Sequence, residues 1–374
     1  MSRELPILYM VDPSIAVTGA FIAARNTARL LKDSVHVVLV LPEGSSVPPA
    51  MLEDFWRVDL VPMVGLSKNF YSLLHYLPSM IAGTRVLKKS MKRDGATRLQ
   101  LNDFYLMHGV LLRLMGYRGQ VVSWVRCHPA RFAGPLARPM LWLAARSANR
   151  MVAVSNAIRL LLPANAAVEV VYDGYEGRTR AAKNWQAADE KRFVYVGNYI
   201  AGKGQDVALE AFASVAAKDA SMQLAFYGGD MGLGKNQAYR ARLERFVAQH
   251  ALQDRVSFHG FAPDTYAVLE PAYAALNFSQ GESFSMTVLE ACGAGVPVIA
   301  TASGGPQEIV RDGITGYLIP VADVAAAAER MLLLARQPEK ARAMGEAGAE
   351  HVRRQFSMQK LRMQLQDLWG LDRD

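Results

Sequence analysis

The stretch QGESFSMTVLEACGAGVPVIATASGGPQEIVRDGITGYLIP, residues 280–320, decides how this chain is read. It sets two glutamates eight residues apart. Glu282 falls in a loop, and Glu290 falls in the helix that the pattern MTVLEACG predicts. A buried-looking strand at 296–301, a Gly-Gly turn at Gly304 and Gly305, and a second helix start come after them. A helix rises about 1.5 Å per residue, so eight helical residues span roughly 12 Å. That exceeds the roughly 5–9.5 Å between two carboxylates that act on one glycosidic bond. The spacing instead suits two carboxylates that hold opposite ends of one long ligand.

Outward from this stretch, the chain alternates strand and helix, the pattern of parallel α/β sheets. In the first half, runs at 7–11, 36–41, 59–64, 98–102, 121–126 and 151–155 read as strands. Gly19–Leu31 and a long segment around 70–92 read as helices. The alternation restarts after 168–173, with strands at 193–197, 223–227, 256–260, 275–278 and 296–301. Helices at 205–217, 238–250 and 286–293 lie between them. A length of 374 residues implies two domains, because single cores stop growing near 250–300 residues. The polar, Gly-containing stretch around 173–190 is the expected boundary. The tail is helical from Val324 onward, and its last segment carries Leu361, Leu365, Leu368 and Trp369 at helical spacing.

Composition removes several classes. No run of 18 or more apolar residues could cross a membrane as a helix, and the short apolar run at the start reads as a strand. A cytoplasmic protein is expected. Cys127 and Cys292 stand far apart with no CxxC spacing, so neither a metal cluster nor a disulfide is expected. No His/Cys cluster has ligand spacing, and Asp372 with Asp374, at a frayed terminus, makes a poor metal cage. Residues 1–173 hold 20 Lys+Arg against 11 Asp+Glu, a net +9 within a chain total of +8. A one-sided basic half points to an anionic partner. No recognition helix or aromatic RNA-binding motif accompanies it, so nucleic acid is not expected. An anionic membrane surface or a phosphorylated lipid-linked acceptor fits better. Phe70, Tyr71, Leu73, Leu74, Tyr76 and Leu77 precede Arg85, Lys88, Lys89, Lys92 and Arg93. This is the pattern of an interfacial helix, or of a core helix with a solvated basic end.

Residues 196–204, VGNYIAGKG, follow a predicted strand and open a helix at Gln205. A Gly-rich turn at a helix N-terminus presents backbone N–H groups and a positive dipole end. Lys203 adds a point charge. This turn, followed downstream by the 282–316 segment, resembles the donor-site signature of retaining glycosyltransferases of family 4 (group 1). The resemblance is specific over most of 190–320 and holds in outline over the first half.

The resemblance implies a GT-B fold: α/β, with two Rossmann-like domains whose parallel sheets face a central cleft. The C-terminal helix of that fold crosses back to the N-terminal domain, although a helix packed only on its own domain reads nearly as well here. The divisions are 1–175 for the acceptor, 176–355 for the nucleotide sugar and 356–374 for the final helix. The implied activity is transfer of a hexose-type sugar from a nucleotide-diphosphate sugar to a carbohydrate or lipid-linked acceptor, with retention. The setting is cell-surface polysaccharide or lipopolysaccharide assembly, in the cytoplasm or on the inner face of its membrane. The nucleotide sugar is a co-substrate, and no cofactor or metal is expected.

By the same resemblance, Glu282 meets the donor sugar, Glu290 the ribose and Lys203 the diphosphate. Asn198 stands where the family carries an Arg, which removes one positive charge. Ser283, Phe284, Ser285 and Met286 offer backbone N–H groups to the sugar and β-phosphate. Phe261 lies where the nucleobase rests, and Tyr227, Gly228, Gly229 and Asp230 end a strand beside the same site. In the first half, Gly19 follows the first strand, where the family often has a Gly pair. His128 ends another strand near the reacting sugar, and Arg126 and Arg131 flank it, facing an anionic acceptor. Two alternatives stay open: a GT-B nucleotide-sugar epimerase/hydrolase, and a catalytically weakened nucleotide-binding scaffold.

Overall fold

The computed structural model describes residues 5–64, 70–129, 134–178 and 190–372. The chain divides into two compact units, Met1–Asp173 with Met358–Asp374, and Gly174–Ser357. Arg131 and Asp374 lie outside the described residues, as do the side chains of Phe70, Tyr71, Leu73 and Leu74.

The first unit is built on seven described strands: β1 Ile7–Val11, β2 His36–Pro42, β3 Arg57–Val61, β4 Arg98–Leu101, β5 Gln120–Val125, β6 Arg150–Ala153 and β7 Val168–Val170. They are all parallel and run in the order β3-β2-β1-β4-β5-β6-β7. Leu8, Tyr9, Met10 and Val11 are fully buried. A strand covered on both faces by helices must be apolar at every position rather than at alternate ones. The helices are α1 Gly19–Leu31, α2 Phe70–Arg93, α3 His108–Leu114, α4 Ala137–Ser147 and α5 Asn156–Arg159. α1 starts where Thr18 caps it, its hydroxyl accepting from the Phe21 N–H at 3.1 Å.

The second unit has six described strands: β8 Lys191–Val196, β9 Met222–Tyr227, β10 Val256–His259, β11 Ala274–Asn277, β12 Val298–Thr301 and β13 Gly316–Ile319. All are parallel, in the order β10-β9-β8-β11-β12-β13. Its helices are α6 Gln205–Ala216, α7 Gly234–Gln249, α8 Thr265–Leu269, α9 Met286–Gly293, α10 Pro306–Ile309, α11 Val324–Arg336 and α12 Pro338–Gln355. A core of Phe193, Tyr195, Phe212, Phe226, Phe278 and Ile299 fills the space between sheet and helices.

The last helix, α13 Met358–Trp369, belongs to the first unit. It buries Leu361, Leu365, Leu368 and Trp369, and it packs against α1. Its terminal carbonyls are met by first-unit side chains: Gln120 Nε2 donates to Leu368 O at 3.0 Å and Arg98 Nε to Trp369 O at 3.4 Å. These carbonyls have no partner within the helix, so the two donors fix where it docks.

Both sheets contain a strand whose successors are laid on opposite sides. In the second unit the chain runs outward from β8 to β9 and β10, then returns to place β11 on the other flank of β8. In the first unit the same reversal falls between β1 and β4. Loops leaving the carboxyl ends of two such strands diverge and leave a crevice, which is where open α/β sheets bind ligands. Each unit is a Rossmann-like parallel sheet covered by helices.

Candidate functional site

The loops after β8 and β11, on the two sides of the reversal in the second unit, carry Lys203 and Glu282. Lys203 Nζ lies 2.8 Å from Glu282 Oε1. Sequence reading gave these residues separate tasks, and the fold joins them in one ion pair. The loop geometry leaves little freedom. The Tyr195 hydroxyl accepts from the Phe278 N–H at 2.8 Å and donates to the Lys203 carbonyl, tying the two loops together. Gly204 caps α6 at φ +85°, and a Cβ there would stand 2.1 Å from the Phe278 carbonyl oxygen. Only glycine satisfies both the backbone angle and the approach.

Glu282 is held by its backbone as well. Its N–H donates to Ser303 O and its carbonyl accepts from the Gly305 N–H, both at 3.0 Å. Gly305 is required because a Cβ would fall 2.2 Å from Phe284 Cα. Ser279 Oγ sits 2.7 Å from Glu282 Oε1 and 3.2 Å from the Lys203 carbonyl, and its single proton can serve one of them at a time. Burial pushes the Glu282 carboxyl up. The Lys203 charge, with hydrogen bonds from Lys203, Ser279 and Asn277, outweighs it, and the group lies below the ordinary glutamate value. Glu282 is thus a carboxylate, with acceptor capacity left for hydroxyl groups.

α9 begins beside this pair. Ser285, at its N-cap, has φ +84° and makes no side-chain cap. Its hydroxyl is taken by Asn277 Nδ2 at 3.1 Å. A non-glycine residue in this region is strained, and such strain gathers where a loop must present its backbone to a ligand. The first-turn N–H groups, which a helix cannot satisfy internally, are left without a side-chain acceptor. Ser283 and Met286 are half-buried on either side. The Phe284 side chain turns inward onto Phe356, with ring centroids 5.7 Å apart, so this residue can serve a ligand only through its backbone.

Glu290 lies on α9 in different surroundings. Burial, with the nearby Asp264 charge, pushes its carboxyl up to about 7, against a hydrogen bond from Thr265 that lowers it. Asp264 caps α8, accepting from Tyr266 N at 3.0 Å, and is paired with Arg178 at 3.2 Å. The Tyr175 ring packs against α9, so close to Gly293 that a Cβ there would fall 2.3 Å away. The charge on Glu290 helps to raise the Tyr175 hydroxyl. Two carboxylates of one loop and helix are therefore tuned apart: Glu290 goes up chiefly by burial, and Glu282 goes down because the Lys203 charge and its hydrogen bonds outweigh burial.

Asn198 does not stand as a free replacement for an arginine. Its Oδ1 accepts from the Gly229 N–H at 3.1 Å, and its backbone carbonyl accepts from Gln205 Nε2 at 3.0 Å. It braces the loops after β8 and β9. Phe261 is 52% exposed just beyond β10, and its Cβ would be 3.9 Å from a Cβ on Gly229. Tyr227, half-buried, stacks on His259 at 4.4 Å beside it.

Gly19 and His128 belong to the first unit. Gly19 is the exposed first residue of α1, and His128 is half-buried beyond the end of β5. Arg126 is a correction. Its side chain is only 4% exposed, and Nη1 reaches both Asp173 oxygens at 3.0 and 3.1 Å, while Nε donates to Asn102 Oδ1 at 2.8 Å. Buried and paired with Asp173, this guanidinium is not the exposed cation that the sequence reading offered to an anionic acceptor. Asn102 also bonds the fully buried Asp12, so a polar network links the carboxyl ends of β1, β4 and β5. Sequence reading missed this network, along with Asp264 and Tyr175. The capping pattern Asp264-Thr265 was a usable signal for one of them.

Comparison with known proteins gives the same outline. Residues 178–351 match the family Glycosyl transferases group 1. The chain is 24% identical over 320 residues to N-acetyl-alpha-D-glucosaminyl L-malate synthase of Bacillus anthracis, which spans 80% of this chain and 81% of that protein. It is 32% identical over 183 residues to the putative glycosyltransferase EpsD of Bacillus subtilis, about half of each chain (49% and 46%). The crystal structure of Anabaena Alr3699/HepE in complex with UDP and glucose superposes with a TM-score of 0.83 at 18% identity. It covers 98% of this chain and 100% of that one. Almost the whole second unit thus matches the group 1 glycosyl transferase model, and the chain shares the GT-B fold of the Anabaena structure.

Proposed function

We propose that this chain is a group 1 glycosyltransferase that moves a hexose-type sugar from a nucleotide-diphosphate sugar to an acceptor hydroxyl, with retention. One observation carries the reading. The Lys203–Glu282 pair lies at the strand reversal of the second unit, beside the uncapped start of α9. That arrangement offers cationic and dipolar groups to a diphosphate and an ionised acceptor to sugar hydroxyls. Glu290, one helix face away, takes the ribose. The UDP and glucose held by the Anabaena structure make UDP-sugars the first donors to test.

Among the described residues, no side chain is assigned as a nucleophile. The reaction is therefore read as front-face attack. The bond from the anomeric carbon to the diphosphate breaks. The acceptor oxygen bonds to the same face, and its proton passes to the departing diphosphate. Lys203 and the α9 N-terminus stabilise the charge that develops there. The acceptor binds the basic first unit, and cell-surface polysaccharide or lipopolysaccharide assembly on the cytoplasmic side of an anionic membrane is the proposed setting.

The test compares two variants. Glu290→Ala loses a charged hydrogen bond to ribose, roughly 1.5–3 kcal/mol, and weakens the free nucleotide and the donor alike. Glu282→Ala leaves the free nucleotide bound while kcat falls. If both variants turn over like the parent, the donor site lies elsewhere. Sugar release without acceptor would mark an epimerase or hydrolase, and binding without any turnover a scaffold. Retention is checked by the anomeric configuration of the first-formed product.

A further inference from the structure

Residues 104–168 contain eight arginines and not one aspartate, glutamate or lysine. This stretch supplies α3, α4 and α5. The crossovers β4–β5, β5–β6 and β6–β7 advance in one direction across the sheet, so right-handed connections put the three helices on one face. α3 packs against α4 there.

α4 buries Ala137, Met140, Leu141, Ala144 and Ser147, a single helical stripe. Its other side should be polar. Instead it exposes Arg138, Pro139, Trp142, Leu143 and Arg146, with Trp142 49% exposed. The Arg146 guanidinium lies 4.7 Å above the Trp142 ring centroid. Leu136 immediately precedes α4, Leu114 ends α3, and Leu160, 82% exposed, follows α5. Of the eight arginines, Arg126 and Arg150 are paired with carboxylates. Arg113 is spent on carbonyls and Asn149, and Arg131 lies outside the described residues. Arg118, Arg138, Arg146 and Arg159 are exposed.

A solvated helix face mixes both signs of charge. Phosphate contacts would account for the arginines but leave the exposed leucines beside them unused. Arginine with tryptophan and leucine on one acid-free face matches a lipid surface: the ring sits at headgroup depth, the leucines enter the acyl boundary, and the guanidinium groups meet anionic headgroups. We infer that the α3–α4–α5 face of the first unit, centred on Trp142, Arg138 and Arg146, is the surface that docks on an anionic lipid bilayer. This deepens the membrane contact proposed above, rests on it, and moves it away from α2. There, Lys88 Nζ is already 2.7 Å from Met115 O and Arg93 is paired with Asp94.

The test uses the full chain and vesicles of phosphatidylglycerol with phosphatidylcholine, against phosphatidylcholine alone. Binding should need the anionic lipid and weaken with salt. Arg138→Gln with Arg146→Gln should lower the partition coefficient about thirtyfold, at about 1 kcal/mol per charge. Brominated lipid should quench tryptophan emission in the parent, and Trp142→Phe should remove that quenching while the protein still sediments with the vesicles. Lys89→Gln with Lys92→Gln should change little. No binding to anionic vesicles would end the membrane reading itself. Binding lost only in the Lys89/Lys92 variant would keep the membrane reading and overturn this surface. Equal affinity for duplex DNA would make the face a general polyanion site and overturn it as well. Nucleotide affinity, measured in parallel, should be unchanged in every variant, so the sugar-transfer reading is tested separately.

Discussion

The Glu290 carboxyl gives a pH dependence whose sign can be worked out in advance. Burial and Asp264 hold it at about 7, and a ribose hydroxyl donates to the ionised form. At pH 6 about a tenth of the groups are ionised, and at pH 8 about nine tenths. A ligand that binds only the ionised form should therefore gain about ninefold in affinity between those values. The probe must be a nucleotide sugar, because a terminal phosphate has its own ionisation near pH 6. Stability should move the other way. The folded value is raised above the ordinary 4.5, so the contribution of this group is fully present below about pH 4.5 and is lost as pH rises through about 7. The total is about 3 kcal/mol. Calorimetric titration from pH 6 to 8, with urea unfolding over pH 4.5 to 8, tests both signs. Glu290→Gln should flatten the affinity profile, and the stability difference from the parent should shift toward the variant as pH climbs. Parent affinity that is level across this range, or that falls with pH, would refute the assignment of Glu290 to the ribose.

Lys203 and Glu282 should fail together. With Lys203 37% and Glu282 13% exposed, solvent screening reduces the pair to a coupling of about 1–2 kcal/mol in a double-mutant cycle of urea unfolding. Additivity of the two alanine variants within about 0.5 kcal/mol would mean that the pair is not formed in solution. Asp173→Ala strips the buried Arg126 of its carboxylate, and thermal or urea unfolding should report a loss of about 3–5 kcal/mol. A loss below 1 kcal/mol would show that Arg126 finds water instead. Activity should survive EDTA, since Lys203 and the α9 N-terminus supply the positive charge. Complete loss restored by Mg²⁺ or Mn²⁺ would overturn that expectation.

Local pattern alone fixed much of this protein. The unbroken apolar runs of parallel strands placed β1 and β11 within a residue, and the spacing of MTVLEACG placed α9 at its observed limits. The leucines of α13 were legible as a buried stripe because helical period is a property of neighbouring residues. β13 was not found, for the four residues Gly316–Ile319 carry too little pattern to separate a strand from a turn. α3 and α4 were passed over too, since exposed apolar residues (Leu114 on α3, Trp142 and Leu143 on α4) blur the period.

What no linear reading could reach depends on pairing across the fold. Lys203 and Glu282 are 79 residues apart, and they meet because the strand order reverses between β8 and β11. The same reversal sets Asp12 against Asn102, 90 residues away. Whether Arg126 is a free cation or a spent one depends on Asp173, and whether α13 docks on the first unit depends on Gln120 and Arg98. The residue types at a site follow from chemistry that the sequence displays. Their ionisation and partners follow from distance and burial, which exist only after the sheet has closed around them.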